Sequence, residues 1–159
     1  MCSVGGVGSA HLREEQAMSG KQDAPTEGSA YGVERQQEAR SIVVVDDDRQ
    51  LAELMSEFLT DEGYRVTVCA HGDQAFAVIR SVLPDLIILD VRMAEIGGLG
   101  VLYLLSTDPQ TRRIPVLMCT AVSAGEMQPW QDVLDEKGVP VLYKPFKLDQ
   151  LADHIAAML

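Results

Sequence analysis

From Ser41 onward, the chain alternates between short apolar runs and stretches with the spacing of amphipathic helices. The first apolar run is IVVV at residues 42–45. The apolar residues after it recur on one helical face: Leu51, Leu54, Met55, Phe58 and Leu59. Asp48 is placed to cap this helix and Gly63 to end it. The pattern therefore predicts a strand followed by an amphipathic helix.

The same alternation recurs four more times along the chain. The next predicted strands are YRVTVCA, DLIILD, IPVLMCT and VPVLYK. The predicted helices after them run through Ala75, Val78 and Ile79, across residues 99–105, from an opening at Pro129, and through Leu148, Leu151, Ala152, Ile155 and Leu159. DLIILD is apolar on both faces, which is typical of a central strand in a parallel sheet. Five strand–helix units predict a doubly wound parallel five-stranded sheet of the α/β class.

Residues 1–40 have a different composition from the rest of the chain. They are rich in Gly, Ser, Gln, Glu and Ala and contain few large apolar residues, so burial cannot offset the entropy lost on folding. We predict a disordered N-terminal extension at 1–40 and one folded domain at 41–159. A short helix at residues 33–40 remains an alternative, although it has no apolar face to dock.

Composition limits the class of protein. The 159 residues carry a net charge of −11, which disfavours nonspecific binding to nucleic acid and to anionic membranes, so proteins or cations are the expected partners. There is no signal-peptide pattern and no apolar run near the roughly 18 residues of a membrane span, so we expect a soluble, cytoplasmic protein. The three cysteines lack metal-site spacing. We expect Cys69 and Cys119 to be reduced, buried apolar residues.

Polar residues follow four of the five predicted strands. Asp46 and Asp47 follow the first strand, Asp90 the third, Thr120 ends the fourth, and Lys144 ends the fifth. Because the carboxyl ends of parallel strands meet at one edge of the sheet, these side chains should converge. Three carboxylates suit Mg²⁺, while Lys144 can pair with Asp90 or with phosphate oxygens. Thr120 can donate its hydroxyl to the same phosphate.

Each of these residues also has an ordinary structural interpretation. A threonine after a strand is usually a turn residue, and a lysine before proline is usually on the surface; only their convergence with three acids favours a site. Asp48 is better explained as a helix cap. We expect the histidines to lie away from the site: His11, His71 and His154. For Trp130, partner contact and simple packing remain equally open.

Several motifs together resemble one protein family. The stretches VVDDD, PDLIILDVRM, GGL, IPVLMCTA and YKPF occur in the order and spacing of response-regulator receiver domains of two-component signalling. The resemblance covers Ser41 to Leu159. It implies a flavodoxin-like (βα)5 fold in which Asp90 is phosphorylated by a phosphohistidine donor.

The resemblance also implies roles for individual residues. Asp47 and Asp90 would bind Mg²⁺ directly, Asp46 would do so mainly through water, and the backbone carbonyl of Arg92 would supply a further ligand. The other residues implied are those at the phosphoryl group and a cis proline: Thr120, Lys144 and Pro145. The chain departs from the family at Ala94, Gly97 and Val141, which replace a common proline, acid and aromatic. Strand alternation places Tyr143, the nearest aromatic, on the same face as Val141.

These observations favour a stand-alone response regulator. It would accept phosphate on Asp90 from a sensor histidine kinase or a phosphotransfer protein and catalyse only its own phosphorylation and dephosphorylation. The surface of its fourth helix, fifth strand and fifth helix would then signal to a downstream protein rather than to DNA, because the sequence ends directly after the fifth helix. One alternative is a phosphorylation-independent receiver-like binding module. The other is a haloacid-dehalogenase-type phosphatase, which needs a second acid where this chain has Arg92.

Overall fold

The computed structural model describes residues 38–159, in which strands and helices alternate strictly. The elements are β1 (Ser41–Val45), α1 (Arg49–Asp61), β2 (Arg65–Cys69), α2 (Gly72–Val82), β3 (Leu86–Leu89), α3 (Gly98–Thr107), β4 (Val116–Thr120), α4 (Ala124–Glu136), β5 (Val141–Tyr143) and α5 (Leu148–Met158). The predicted flavodoxin-like fold with five strand–helix units is confirmed.

The strands form one parallel sheet in the order β2-β1-β3-β4-β5. The chain moves outward from β1 to β2 and then returns past β1 to β3, so the strand order reverses at β1. Ligand sites in such sheets lie beyond the carboxyl ends of the strands at this reversal. Val45 and Leu89, the last residues of β1 and β3, pair with each other, and an aspartate directly follows each of them.

Strand alternation divides the core into two layers, one on each face of the sheet. In β1, Val43 and Val45 face the layer covered by α2, α3 and α4, while Ile42 and Val44 face the layer covered by α1 and α5. All four of these side chains are fully buried. The sheet is therefore covered on both faces, and chemistry is confined to its edges and ends.

The predicted boundaries of α1 are confirmed by its end contacts. The side chain of Asp48 accepts a hydrogen bond from the backbone N–H of Leu51 at 3.2 Å, which satisfies one free donor of the first turn. Gly63 follows the helix with φ of +95°, a conformation in which a side chain would be strained. Asp48 is thus a helix cap, as predicted.

The prediction that a helix opens at Pro129 is wrong. Helix α4 begins at Ala124, and Pro129 lies inside it. Ser123 accepts a hydrogen bond from the backbone of Glu126, whose carboxylate in turn accepts from the backbone of Ser123. This reciprocal cap outweighs the preference of proline for the first turn, and the Ser-x-x-Glu spacing was its signal in the sequence. Trp130 consequently lies in the middle of the helix.

Cys69 and Cys119 are buried and free, as predicted. Burial raises the pKa of the Cys119 thiol to about 12, so this residue stays protonated and behaves as a small apolar side chain.

Within residues 38–159, no helix combines the length and the apolar content needed to span a membrane. The predicted disordered extension at residues 1–40 and the alternative helix at residues 33–40 lie largely outside the described residues.

Candidate functional site

The carboxyl edge of the sheet brings the predicted acidic residues together. Carboxylate oxygens of Asp46, Asp47 and Asp90 all lie within 4.8 Å of one another. The strand register explains this, because Asp46 and Asp90 directly follow the paired residues of β1 and β3, and the N–H of Asp90 donates to the carbonyl of Val45 at 2.9 Å. The structure therefore forms the cluster of three acids that the sequence predicted.

The three acids differ in exposure. Asp46 and Asp90 are 1% and 5% exposed, whereas Asp47 is an exposed residue. One oxygen of Asp46 accepts a hydrogen bond from the backbone N–H of Asp48 at 2.9 Å, and the other accepts from Lys144. Asp46 is therefore held in place by the protein, while Asp47 faces solvent.

Lys144 supplies positive charge to this cluster. Its Nζ lies 2.6 Å from Asp46 Oδ2 and 3.7 Å from Asp90 Oδ1. The predicted contact between Lys144 and Asp90 is present, but the contact between Lys144 and Asp46 is the shorter of the two. Burial would lower the pKa of Lys144, but the hydrogen bond and charge of Asp46, together with Asp90, raise the pKa above its usual value. The amine is thus a cation at neutral pH.

Asp90 lies in an environment that disfavours its charge. Burial raises its pKa above the usual aspartate value; Lys144 opposes this shift, Asp46 adds to it, and a backbone hydrogen bond from Arg92 opposes it. A buried carboxylate next to other acids is destabilised unless positive charge compensates it. For Asp90, the effect of burial thus outweighs the compensation that Lys144 and the Arg92 backbone provide.

Thr120 ends β4 beside Lys144. Its backbone carbonyl accepts a hydrogen bond from the N–H of Lys144 at 2.7 Å, and its hydroxyl oxygen accepts from the N–H of Val122 at 3.0 Å. Thr120 is fully buried, and among the described residues its hydroxyl has no hydrogen-bond acceptor. Lys144 is followed by a cis peptide bond to Pro145, as predicted.

The side chain of Arg92 points toward α4. Its guanidinium lies 3.2 Å from the Glu126 carboxylate in an exposed ion pair. The hydrogen bonds from Ser123 and the charge of Arg92 lower the pKa of Glu126. The loop after β3 is therefore tied to the start of α4, a contact that could not be predicted from the sequence because the two residues lie 34 positions apart.

Glycine keeps the loop after Asp90 close to the sheet. A Cβ atom on Gly98 would overlap the carbonyl oxygen of Asp90, and one on Gly72 would overlap the carbonyl oxygen of Ile96. Only glycine permits backbone to approach backbone this closely. The GGL motif is thus explained by packing: α3 begins directly against the phosphoacceptor candidate.

Near the site, the position of His71 differs from expectation, while the common face predicted for Val141 and Tyr143 is found. His71 was predicted to lie away from it, but it lines a pocket of about 210 Å³ together with Asp47. Its position follows from β2, whose carboxyl end lies next to β1. Val141 and Tyr143 both pack against the core layer under α4, which confirms their predicted common face.

The donor set fits a hard divalent cation. Three carboxylates with oxygens within 4.8 Å of one another supply the ligand type that Mg²⁺ prefers, and one of them is open to solvent, where a hydrated ion can enter. The same convergence, with Lys144 alongside, can also receive a phosphoryl group.

The comparisons with known proteins agree with this class of site. The profile of the "Response regulator receiver domain" matches residues 42–156. The chain therefore belongs to the response regulator receiver domain family of two-component signalling, whose members partner with histidine kinases and bind Mg²⁺ through acidic residues. Receiver domains are signalling modules rather than classical enzymes.

Several curated proteins are similar to this chain. The probable transcriptional regulatory protein TcrX of Mycobacterium tuberculosis is 34% identical over 119 residues, which cover 75% of this chain and 49% of that protein. The DNA-binding dual master transcriptional regulator RpaA of Synechocystis is 33% identical over 118 residues, 74% of this chain and 48% of that protein. The chain spans about half the length of these curated relatives.

Solved structures show the same architecture. The chemotaxis protein CheY4 of Vibrio cholerae has a TM-score of 0.68 and 27% identity, over 76% of this chain and 99% of that one. A signal receiver domain of a histidine kinase from Syntrophus aciditrophicus has a TM-score of 0.65 and 32% identity, over 76% of this chain and 90% of that one. Receiver domains of different signalling proteins thus share this fold.

Proposed function

We propose that this chain is a phosphoacceptor receiver in which Asp90 takes a phosphoryl group from a histidine kinase or a phosphotransfer protein. The observation that carries the proposal is the position of Asp90, a buried carboxylate 3.7 Å from Lys144 and within 4.8 Å of two further acids. Its charge is held next to a cation that can also neutralise an incoming phosphoryl group.

In the proposed reaction, a carboxylate oxygen of Asp90 attacks the phosphorus of the phosphohistidine donor. A P–O bond forms, the P–N bond to the imidazole breaks, and its electron pair stays on the donor ring. Lys144, already held at the edge of the site by Asp46, contacts the phosphoryl oxygens. The hydroxyl of Thr120 donates a hydrogen bond to another of these oxygens.

Mg²⁺ bound by Asp46, Asp47, Asp90 and the carbonyl of Arg92 would supply positive charge that neutralises the phosphoryl oxygens. Asp47 is the carboxylate through which the site opens to solvent. The chain's own contribution is to hold these oxygen ligands in place before the phosphorylated partner protein arrives. Little reorganisation of the site is then needed during phosphoryl transfer.

The proposed output is a change in the surface formed by α4, β5 and α5. Thr120 and Lys144 are joined by a backbone hydrogen bond of 2.7 Å, so movement of one toward a phosphoryl group also moves the other. Thr120 leads into α4 through Val122, and Lys144 directly follows β5. A phosphoryl group held by both residues would therefore act on the start of α4 and on the end of β5 together.

Protein contact is the proposed route of output. The net charge of −11 would repel a nucleic-acid backbone. Among the relatives, RpaA is named a DNA-binding regulator, so the alternative must be tested on this chain directly. Fluorescence anisotropy with duplex DNA at low salt should show no binding to the phosphorylated chain; saturable binding would contradict this part of the proposal.

The phosphoacceptor assignment is tested with acetyl phosphate and Mg²⁺. Phosphate-affinity electrophoresis should show a shifted band for the native chain and none for Asp90→Asn, with Asp85→Asn as a control at the other end of β3. A shifted band in Asp90→Asn would place the phosphoryl group elsewhere. The absence of any band in the native chain would favour a phosphorylation-independent binding module.

A further inference from the structure

The facing sides of α3 and α4 leave an apolar groove open to solvent. We call it the α3–α4 groove, and its apolar lining is Leu99, Leu102, Tyr103, Trp130, Val133 and Leu134. Tyr103 is 68% exposed, the highest value among the exposed large apolar residues of the described chain, and Trp130 and Val133 remain 47% and 43% exposed. Tyrosine and tryptophan left in solvent beside one groove are typical of a binding surface.

One end of this groove opens into a larger pocket of about 500 Å³. Leu102, Ser106 and Lys137 line both. The charged residues that line the larger pocket, which we call the basic pocket, are all basic: Arg112, Arg113 and Lys137. None of the three forms an ion pair within residues 38–159. In a chain of net charge −11, this local reversal of charge favours a negatively charged occupant.

We propose that the α3–α4 groove and the basic pocket together dock an acidic amphipathic helix of a partner protein. The apolar face of that helix would lie between Tyr103 and Trp130 over the floor of the groove. Carboxylates at one end would meet Arg112 and Arg113, which bind carboxylates through paired N–H donors. A groove between two helices is a common acceptor for such a segment.

This inference goes beyond the proposed function because the two surfaces use different ends of the sheet. The basic pocket includes Pro115 and Val139, which precede β4 and β5, whereas the phosphoacceptor candidate follows the carboxyl end of β3. The two sites share no residue. The groove does share α4 with the proposed output surface, so the docking test uses the unphosphorylated chain, in which its failure and a failure of the phosphoacceptor assignment are distinguishable.

Trp130 provides a direct readout, because it is the only tryptophan of the chain. The probe is a synthetic amphipathic helix with leucine and phenylalanine on one face and glutamate on the other. Its counterpart carries lysine in place of every glutamate. We expect the acidic peptide to cause a saturable blue shift of the Trp130 emission, because the ring leaves water, and the lysine peptide to cause none.

Matched variants locate the binding. Tyr103→Ala and Arg113→Glu should each weaken binding roughly tenfold, because each removes one anchor worth about 1.4 kcal/mol. Leu54→Ala on α1 changes a leucine that is 49% exposed, and Arg65→Glu changes an exposed arginine of β2. Both controls should bind as the native chain does.

Three results would overturn the proposal. The first is no emission change with the acidic peptide. The second is equal binding of the acidic and lysine peptides, which would show that charge plays no part. The third is binding unaffected by both Tyr103→Ala and Arg113→Glu. If pyrophosphate binds the basic pocket but the acidic peptide does not, the pocket is a small-anion site and the docking proposal is wrong.

Discussion

At the residue scale, the central feature is a carboxylate whose charge the folded protein tolerates poorly. Burial raises the pKa of Asp90, and Asp46 adds to the shift, while Lys144 opposes it. The contact of Lys144 with Asp46 is the shorter one, so the cation is shared between the two acids. The site therefore gains from any added positive charge, which is the property that a phosphorylation site with a bound cation requires.

We expect Asp90→Asn to raise the melting temperature at pH 7 without divalent ions. Because the folded-state pKa of Asp90 is raised, the ionised form is less favourable folded than unfolded, and this costs stability above the unfolded pKa. The neutral isostere removes that cost and leaves Asp46 paired with Lys144. Calorimetry should show a midpoint a few degrees higher for the variant; an equal or lower midpoint would contradict the electrostatic account.

We expect Asp47→Ala to weaken Mg²⁺ binding by roughly tenfold or more, because a lost contact to a charged group is worth about 1.5–3 kcal/mol. Titration calorimetry measures the affinity. The matched control is Asp48→Ala, which removes the neighbouring acid: its side chain caps α1, so the variant should lose about 1 kcal/mol of stability and keep its Mg²⁺ affinity. Equal Mg²⁺ affinity in the native chain and Asp47→Ala would rule out Asp47 as a ligand.

The sequence predicts which residues form the site, but it does not predict which of their side chains contact each other most closely. The end of each strand places Asp46, Asp90 and Lys144 at one edge, because parallel strands share a direction. Which carboxylate Lys144 contacts more closely depends on side-chain lengths and on the turn after β1, which no periodicity reveals. The ion pair of Arg92 with Glu126 depends in the same way on where α4 begins.

At the element scale, the start of a helix depends on local hydrogen bonding more than on any single residue type. Pro129 is a typical first-turn residue, yet α4 begins five residues earlier because Ser123 and Glu126 cap each other. The apolar face of α1, by contrast, is long and periodic, and its boundaries could be predicted from Asp48 and Gly63. Both helices have 13 residues, so length does not explain the difference; for α4, the Ser123–Glu126 cap predicts the start better than the proline does.

Two glycines at the starts of helices provide a matched pair of substitutions. A Cβ on Gly98 would overlap the backbone of Asp90, whereas one on Gly125 of α4 would meet no atom within 4 Å. We expect Gly98→Ala to lower the unfolding free energy by about 1 to 3 kcal/mol and to slow phosphorylation, since α3 must move away from Asp90. Gly125→Ala should be neutral or stabilising by up to about 1 kcal/mol.

Denaturant unfolding and the rate of phosphorylation by acetyl phosphate are the two measurements for this pair. If Gly98→Ala unfolds and reacts like Gly125→Ala, the close approach of α3 to Asp90 does not constrain the site.

At the scale of the whole molecule, the architecture could be predicted because apolar runs and helical faces alternate without interruption from Ser41. Each buried strand residue has its neighbour on the opposite face, so one sheet with helices on both sides is the arrangement that covers all of them. The α3–α4 groove could not be predicted, since the sequence left partner contact and packing equally open for Trp130 and does not show that α3 places Tyr103 beside it.

We expect deletion of residues 1–38 to leave both the melting temperature and the phosphorylation rate nearly unchanged. That segment has few large apolar residues with which to dock, and residues 39–159 form one compact unit. Deletion of residues 1–40 is the control, because it also removes Arg40. The carbonyl of Arg40 accepts from the N–H of Arg65 at 2.9 Å, and its guanidinium donates to the carbonyl of Leu159 at 2.7 Å.

The longer deletion should therefore lower the melting temperature while the shorter one does not, since only the longer one removes hydrogen bonds that hold the start of β1 to its surroundings. Thermal unfolding of the three chains and their phosphorylation by acetyl phosphate provide the comparison. A clear loss of stability or of phosphorylation on removing residues 1–38 alone would show that the N-terminal segment packs on the domain, and the boundary predicted at residue 41 would have to move toward the N-terminus.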